Sequence, residues 1–190
     1  MNGGLRRCFL GLALPVEIRR ALAEIRGHWE PAGLRGAWVR EDNFHITLRF
    51  LGELGEAQVA ALDGFARPAF GRCHAVRLRV AGTGAFPEAS RPSVLWAGIS
   101  VEVGDIQVLL EAAEDAALAT GLPPEHRAAH PHITLVRLRE STAAEAAGRF
   151  LEGTHALTTD AFNVAAVALW ESTLRGAGAV YRQLREYPLT

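Results

Sequence analysis

Apolar and polar positions alternate in two short stretches that carry the same four residues, His-Ile-Thr-Leu, at 45–48 and again at 132–135. Alternation with a period of two predicts a β-strand, in which successive side chains point to opposite faces. Each histidine therefore shares a face with the threonine two residues further on, above an apolar underside of isoleucine and leucine. Two such strands facing each other would bring two imidazoles and two hydroxyls to one cleft.

The rest of the pattern predicts strands and helices in mixed order. Short apolar runs predict strands, and apolar residues three or four apart predict helices. We expect helices from Pro15 to about Pro31, at 56–66, at 105–119, and from a Ser141-Thr142 cap to about 151, and strands at 6–13, 37–40, 44–51, 74–81, 93–100, 161–170 and 179–186. This order favours an α+β fold of two pseudo-equivalent lobes around a cleft over a doubly wound parallel sheet.

Two local signals at glycines and polar residues predict turns. The polar residues at 41–43 suit a turn between the strands on either side. Gly82-Thr83-Gly84 is expected to end the strand at 74–81, and without a following Lys-Ser/Thr it does not indicate a phosphate-binding loop.

The composition indicates one globular unit rather than a protein that coats nucleic acid. The 190 residues are 49% hydrophobic and 22% charged, with no long linker, so they fit a single domain, 1–190, of two lobes. The formal charge of −1 lacks the basic excess that binding along extended nucleic acid requires. A local site for one nucleic-acid end stays compatible with this charge.

Cysteine content and the opening segment predict a cytoplasmic location. Cys8 and Cys73 cannot make a disulfide framework. The apolar run at 8–15 resembles a signal peptide but has charged residues directly after it and no small-x-small cleavage site, so we interpret it as a buried strand. No segment reaches the roughly 18 apolar residues of a membrane helix.

The repeated motif suits acid-base chemistry on a phosphate. A histidine titrates near neutrality, so a neutral imidazole can deprotonate water while a protonated one donates to the departing alkoxide. His45 and His132 could exchange these roles on this reasoning. The hydroxyls of Thr47 and Thr134 could donate hydrogen bonds to the phosphoryl oxygens. The arrangement needs no metal or other cofactor.

An arginine lies close to each motif. Arg49 is four residues after His45, so a regular strand would place it on the histidine face as a phosphate contact. Arg137 is five residues after His132 and would face away unless the strand ends or bulges after Leu135.

Two other interpretations stay open. His126, His130 and His132 form His-x3-His-x-His, which would suit a metal-dependent hydrolase, although Arg127 replaces the glutamate of the zinc-protease motif and Pro131 breaks any helix there. The chain could also be a module that binds an RNA end or nucleotide without turnover, but binding alone would accept lysine or arginine at the histidine positions.

The chain resembles the 2H phosphoesterase superfamily and, within it, the RNA 2′,3′-cyclic phosphodiesterases, also described as 2′-5′ RNA ligases. The similar segments are the opening strand at 7–15, the block at 38–52, Phe86-Pro87 with 91–98, the second motif at 131–137, and 169–181.

The resemblance implies a bilobal fold of two mainly antiparallel sheets, with one motif from each lobe in a central groove. It implies that His45 is the proton donor and His132 the proton acceptor that activates water, with Thr47, Thr134 and Arg137 on the phosphate. The implied substrate is RNA with a 2′,3′-cyclic phosphate end, or a 2′,3′-cyclic nucleotide, opened to a 2′-phosphate. Reversible 2′-5′ joining of RNA is the associated activity, and we expect a monomer.

Overall fold

The computed structural model describes residues 4–139, 144–176 and 178–190, and these form nine strands, four α-helices and one short 3-10 helix. The strands are β1 (Arg6–Ala13), β2 (Gly36–Trp38), β3 (His45–Leu54), β4 (Val76–Phe86), β5 (Val94–Val103), β6 (His132–Leu138), β7 (Phe162–Val164), β8 (Ala166–Arg175) and β9 (Gly178–Pro188). The helices are α1 (Val16–Trp29), α2 (Glu56–Phe70), α3 (Ile106–Ala119) and α4 (Ala144–Thr154). The Ser141-Thr142 cap predicted for α4 lies outside the described residues.

The strands form two antiparallel sheets, and each sheet carries one of the repeated motifs. The first sheet has the order β3-β1-β8-β9, with the first motif on its edge strand. The second has the order β2-β6-β5-β4-β7, with the second motif on β6. This confirms the predicted α+β class with antiparallel sheets, whereas the division of the chain into one domain of two lobes stays a prediction.

The apolar residues of both motifs lie in the core, as the alternation predicted. Ile46, Ile133 and Leu135 have no exposed surface, and Leu48 is 8% exposed. Burying four such side chains contributes roughly 1.5–3 kcal/mol each, which anchors both histidine strands. The same alternation leaves the histidines and threonines only partly buried, on the other face.

The turn at 41–43 does not connect two paired strands. It forms a short 3-10 helix, and β2 before it pairs with β6 in the second sheet while β3 after it pairs with β1 in the first. The segment therefore crosses from one sheet to the other. Local polarity predicted the turn, but the partners of the flanking strands depend on contacts far away in sequence.

The prediction that Gly82–Gly84 ends a strand is wrong, because β4 continues to Phe86. Gly82 has a positive φ of 67° where the pairing with β5 shifts register between Val80 and Thr83. The glycine absorbs this bulge without strain. At Gly84 the ring of Trp96 occupies the space that a β-carbon would fill.

In the described residues, no helix combines the length and apolar character needed to cross a membrane.

Candidate active site

His45 begins β3, and its ring is fixed by a backbone carbonyl. Its Nδ1 lies 2.7 Å from the carbonyl oxygen of Asn43, which can only accept, so Nδ1 carries the proton of this hydrogen bond. Its Nε2 lies 3.0 Å from the hydroxyl oxygen of Thr47. The ring also packs against Phe9, with centroids 4.6 Å apart, and the edge of Tyr181, at 5.1 Å.

His132 begins β6 and is held in the same way. Its Nδ1 donates to the carbonyl oxygen of His130, 2.6 Å away. Its ring meets Phe86 edge-on at 4.9 Å between centroids. Both motif histidines thus donate Nδ1–H to the carbonyl of the residue two positions earlier, which leaves Nε2 of each as the nitrogen that can exchange a proton with a ligand.

All the residues predicted for the site border one groove with a cavity volume of about 550 Å³. The groove is open enough and large enough for a nucleotide, since small-ligand sites commonly measure about 300–1,000 Å³. Its lining includes His45, Thr47, Arg49, His132, Thr134 and Arg137. The structure therefore brings the two motifs together across the sheets.

A β-bulge turns Arg137 toward the groove. Trp96 of β5 pairs with Thr134 and Leu95 pairs with Val136, which leaves Leu135 without a partner in β5. The extra residue shifts the alternation by one, so Arg137 returns to the face of Thr134. The sequence predicted that Arg137 would face the groove only if the strand ended or bulged near Leu135, and the bulge lies at Leu135.

A second bulge has the opposite effect on Arg49. Gly11 of β1 pairs with Thr47 and Leu10 pairs with Arg49, so Leu48 is the extra residue. The prediction that a regular strand places Arg49 on the face of His45 is therefore wrong. Phe50 takes the next position on that face. Arg49 reaches the rim of the groove, but its guanidinium hydrogen-bonds protein groups, and its contact with substrate stays a prediction.

Burial and neighbouring cations lower the pKa of both histidines. Burial lowers the pKa of His45 to about 4 against the opposing bond to Asn43, with smaller lowering contributions from His132 and Arg137. Burial also lowers the pKa of His132, and electrostatic repulsion from His130 and Arg137 lowers it further. Near neutral pH both imidazoles of the free protein are therefore neutral.

Several residues that shape the site had no signal in the sequence. The carbonyls of Asn43 and His130 orient the two imidazoles, and any residue type could supply a carbonyl. Phe9 and Tyr181 come from the two ends of the chain and meet at His45 only in the fold. Phe50, which is 50% exposed at the groove, appears on this face only because of the bulge at Leu48.

The histidines considered as metal ligands do not form a cluster. His130 and His132 have ring centroids 6.3 Å apart, and Nδ1 of His132 is already bonded to the His130 carbonyl. Across the ranges that the structure describes, no group of three or more His, Cys, Asp or Glu side chains is arranged to hold a metal ion.

Comparison with known proteins identifies the family. The family model described as LigT like Phosphoesterase matches residues 12–96 and 99–181. An RNA 2′,3′-cyclic phosphodiesterase of Aeropyrum pernix is 32% identical over 87% of this chain and 93% of its own. A solved structure of a Thermus thermophilus protein superposes with a TM-score of 0.78 at 27% identity, covering 96% of this chain and 97% of that one.

Escherichia coli LigT complexed with phosphate superposes with a TM-score of 0.70 at 25% identity, over 98% of this chain and 99% of that one. The expected fold and family are confirmed, and the expected class of enzyme, a phosphodiesterase, is the class of the named relatives. The chain belongs to the LigT-like phosphoesterase family.

Proposed function

We propose that this protein is an RNA 2′,3′-cyclic phosphodiesterase that opens a terminal 2′,3′-cyclic phosphate to a 2′-phosphate without a metal ion. The observation that carries the proposal is the shared arrangement of His45 and His132. In each, a backbone carbonyl holds Nδ1, which leaves Nε2 as the nitrogen for proton transfer, and both residues line one groove. In the free protein Nε2 of His45 accepts a hydrogen bond from the hydroxyl of Thr47, which substrate must replace. The name of the Aeropyrum pernix relative supplies the substrate class.

In the proposed reaction Nε2 of neutral His132 takes a proton from water, and the resulting hydroxide forms the new bond to phosphorus. The bond from phosphorus to the 3′ oxygen breaks, and protonated His45 gives its Nε2 proton to that oxygen. The products are a 2′-phosphate and a free 3′-hydroxyl. Thr47 and Thr134 donate to the non-bridging oxygens, and Arg137 balances their charge.

The lowered pKa of His45 fits this role once the substrate is bound. A phosphate anion beside the imidazole favours its charged form and raises the pKa from about 4. Binding of the substrate therefore favours the protonated form of His45 that the reaction needs. In the free protein both imidazoles are neutral near pH 7, so they attract an anion weakly, which favours catalysis over a module that only binds phosphate.

Further parts of the proposal follow from the same site. Ligation of a 2′,3′-cyclic phosphate to a 5′-hydroxyl uses a hydroxyl in place of water, so the two histidines could also support 2′-5′ joining and its reversal. The complex of Escherichia coli LigT with phosphate is consistent with an anion in this groove. We also propose that the protein is a cytoplasmic monomer, in which the buried thiols of Cys8 and Cys73 stay reduced.

The test is to incubate the protein with an oligonucleotide ending in a 2′,3′-cyclic phosphate and to identify the product by ³¹P NMR. A 2′-phosphate product supports the proposal. A 3′-phosphate product would reverse which bond breaks, and binding without turnover would support the non-catalytic module. Adding an oligonucleotide with a 5′-hydroxyl to the same reaction tests whether a 2′-5′ linkage forms.

A further inference from the structure

We propose that Arg49 is a positioning residue, which holds the loop at 122–131 and through it the ring of His132. The inference rests on the proposed function, because it takes His132 to be a reacting histidine. It gives Arg49 a different role from the phosphate contact expected from the sequence.

The guanidinium of Arg49 is committed to protein groups. Its Nε donates to Glu114 of α3 at 2.5 Å, its Nη1 to the carbonyl of Phe50 at 2.6 Å and its Nη2 to the carbonyl of Pro123 at 2.5 Å. The side chain is only 10% exposed. Charge-assisted bonds from a planar guanidinium fix direction as well as distance, so this group fits the role of a rigid connection between β3, α3 and the loop.

Glu114 and Glu125 extend the connection along the loop. The second carboxylate oxygen of Glu114 accepts the backbone N–H of Glu125 at 3.0 Å. The carboxylate of Glu125 lies 3.8 Å from Nη1 of Arg49. We call Arg49, Glu114, Pro123 and Glu125 the Arg49 network.

The first half of the loop has few other contacts that hold it in the described part of the chain. Residues 123–131 belong to no strand or helix, and no backbone-to-backbone hydrogen bond joins them to a regular element there. Most of these residues are exposed. The Arg49 network therefore supplies the polar contacts that determine where the first half of the loop runs.

The loop determines the orientation of His132. It ends at Pro131, directly before β6, and the carbonyl of His130 within it accepts the Nδ1–H of His132. The ring of His130 rests against Trp96, with centroids 4.7 Å apart. A shift of the loop would move this carbonyl and turn the imidazole, and because Arg49 is on the strand of His45, the network also links the two motifs.

The experiment compares Arg49→Gln, Glu114→Gln and the double variant with a matched control, Glu111→Gln. Glu111 lies one turn earlier on α3 and bonds only Gln107 in the described contacts. Misplacing a reacting group by about 1 Å can cost about 100-fold in rate. We expect kcat to fall by about 10- to 100-fold in both single variants with KM nearly unchanged, no further loss in the double variant, and no effect of Glu111→Gln.

A second readout needs no substrate. The bond to the His130 carbonyl raises the pKa of His132, whereas burial and electrostatic repulsion from His130 and Arg137 lower it. His45 lies across the same groove. When the loop loosens, this bond weakens, so NMR titration should show the pKa of His132 falling in Arg49→Gln and Glu114→Gln and that of His45 staying in place. A role confined to global stability would move neither pKa.

The outcomes separate the possible roles of Arg49. If Arg49→Gln raises KM while Glu114→Gln behaves as native, Arg49 contacts the substrate and the positioning role is overturned. An unchanged His132 pKa in both variants would also overturn it. If the native protein shows no turnover but the pKa of His132 still falls in the two variants, the proposed function is rejected and the link from Arg49 to His132 is supported. Glu114→Gln keeps the test usable if Arg49→Gln does not fold.

Discussion

Nδ1 of His132 and the carbonyl oxygen of His130 lie 2.6 Å apart, and the same bond, at 2.7 Å, joins His45 to Asn43. In both sheets the histidine is therefore held by the same local hydrogen bond, from Nδ1–H to the carbonyl oxygen of the residue two positions earlier. It fixes the tautomer and leaves Nε2 as the nitrogen for the proposed proton transfers on both sides of the groove.

The pH dependence should be bell-shaped, with both limbs of kcat/KM below about pH 6.5. Burial lowers the pKa of His45 to about 4 and also lowers that of His132 below its ordinary value of about 6.5. Because kcat/KM reports the free enzyme, it should fall as pH rises above the two lowered values. The apparent values belong to the coupled pair.

The same reasoning predicts a different profile for kcat. The bound phosphate anion raises both pKa values, so the bell for kcat should lie at higher pH than the bell for kcat/KM. Initial rates from about pH 4 to 9 measure both. A flat profile between about pH 5 and 9 would contradict the two-histidine mechanism.

Replacing Arg137 should change both rate and pH dependence. Its positive charge lowers the pKa of His45 and of His132, so Arg137→Gln should move both limbs toward higher pH. Loss of its charge near the phosphate should lower kcat/KM by about 100-fold. Arg139→Gln, two residues further on and exposed, is the control and should leave the profile unchanged. If the limbs stay in place in Arg137→Gln, Arg137 does not face the histidines as the bulge implies.

The two threonine hydroxyls should act mainly on kcat. Thr47→Val and Thr134→Val keep the shape of the side chain and remove a donor, and losing one donor to the transition state costs about 100-fold. Thr173→Val, at an exposed position of β8, is the control and should leave kcat and KM unchanged. Steady-state rates with a cyclic-phosphate oligonucleotide measure the effect. A higher KM with kcat unchanged in either variant would indicate ground-state binding instead.

Two glycine substitutions should change stability in opposite directions. A β-carbon at Gly11 would lie 2.7 Å from the carbonyl oxygen of Ile46, so Gly11→Ala should push β1 from β3 and lower the free energy of unfolding by about 1–3 kcal/mol. Gly64 lies within α2, and nothing lies within 4 Å of the added β-carbon. Gly64→Ala should therefore raise the free energy of unfolding by roughly 0.5–1 kcal/mol. Urea denaturation measures both, and a destabilising Gly64→Ala would contradict the assigned surroundings.

The histidine pair and most of the elements were predictable from the sequence because these depend on local patterns. The apolar run of β1 and the alternation around both motifs are visible in a single stretch of chain, and so are the buried Ile46 and Ile133. The repeat at 45–48 and 132–135 indicates both histidines without reference to the fold.

The bulges could not be predicted, because a bulge is defined by the partner strand. Leu48 is the extra residue only in relation to Leu10 and Gly11, and Leu135 only in relation to Leu95 and Trp96. These two residues decide which arginine faces the groove. For the same reason nothing in the sequence indicated that Phe50 takes the position expected for Arg49.

The most direct test of the central claim is hydrolysis of an oligonucleotide with a 2′,3′-cyclic phosphate end in excess EDTA, comparing the native protein with His45→Ala and His132→Ala. We predict turnover to a 2′-phosphate by the native protein, undiminished by the chelator, and its loss in both variants while each remains folded by circular dichroism. Native turnover that persists in either variant, or that returns only with added metal, would contradict catalysis by the two histidines.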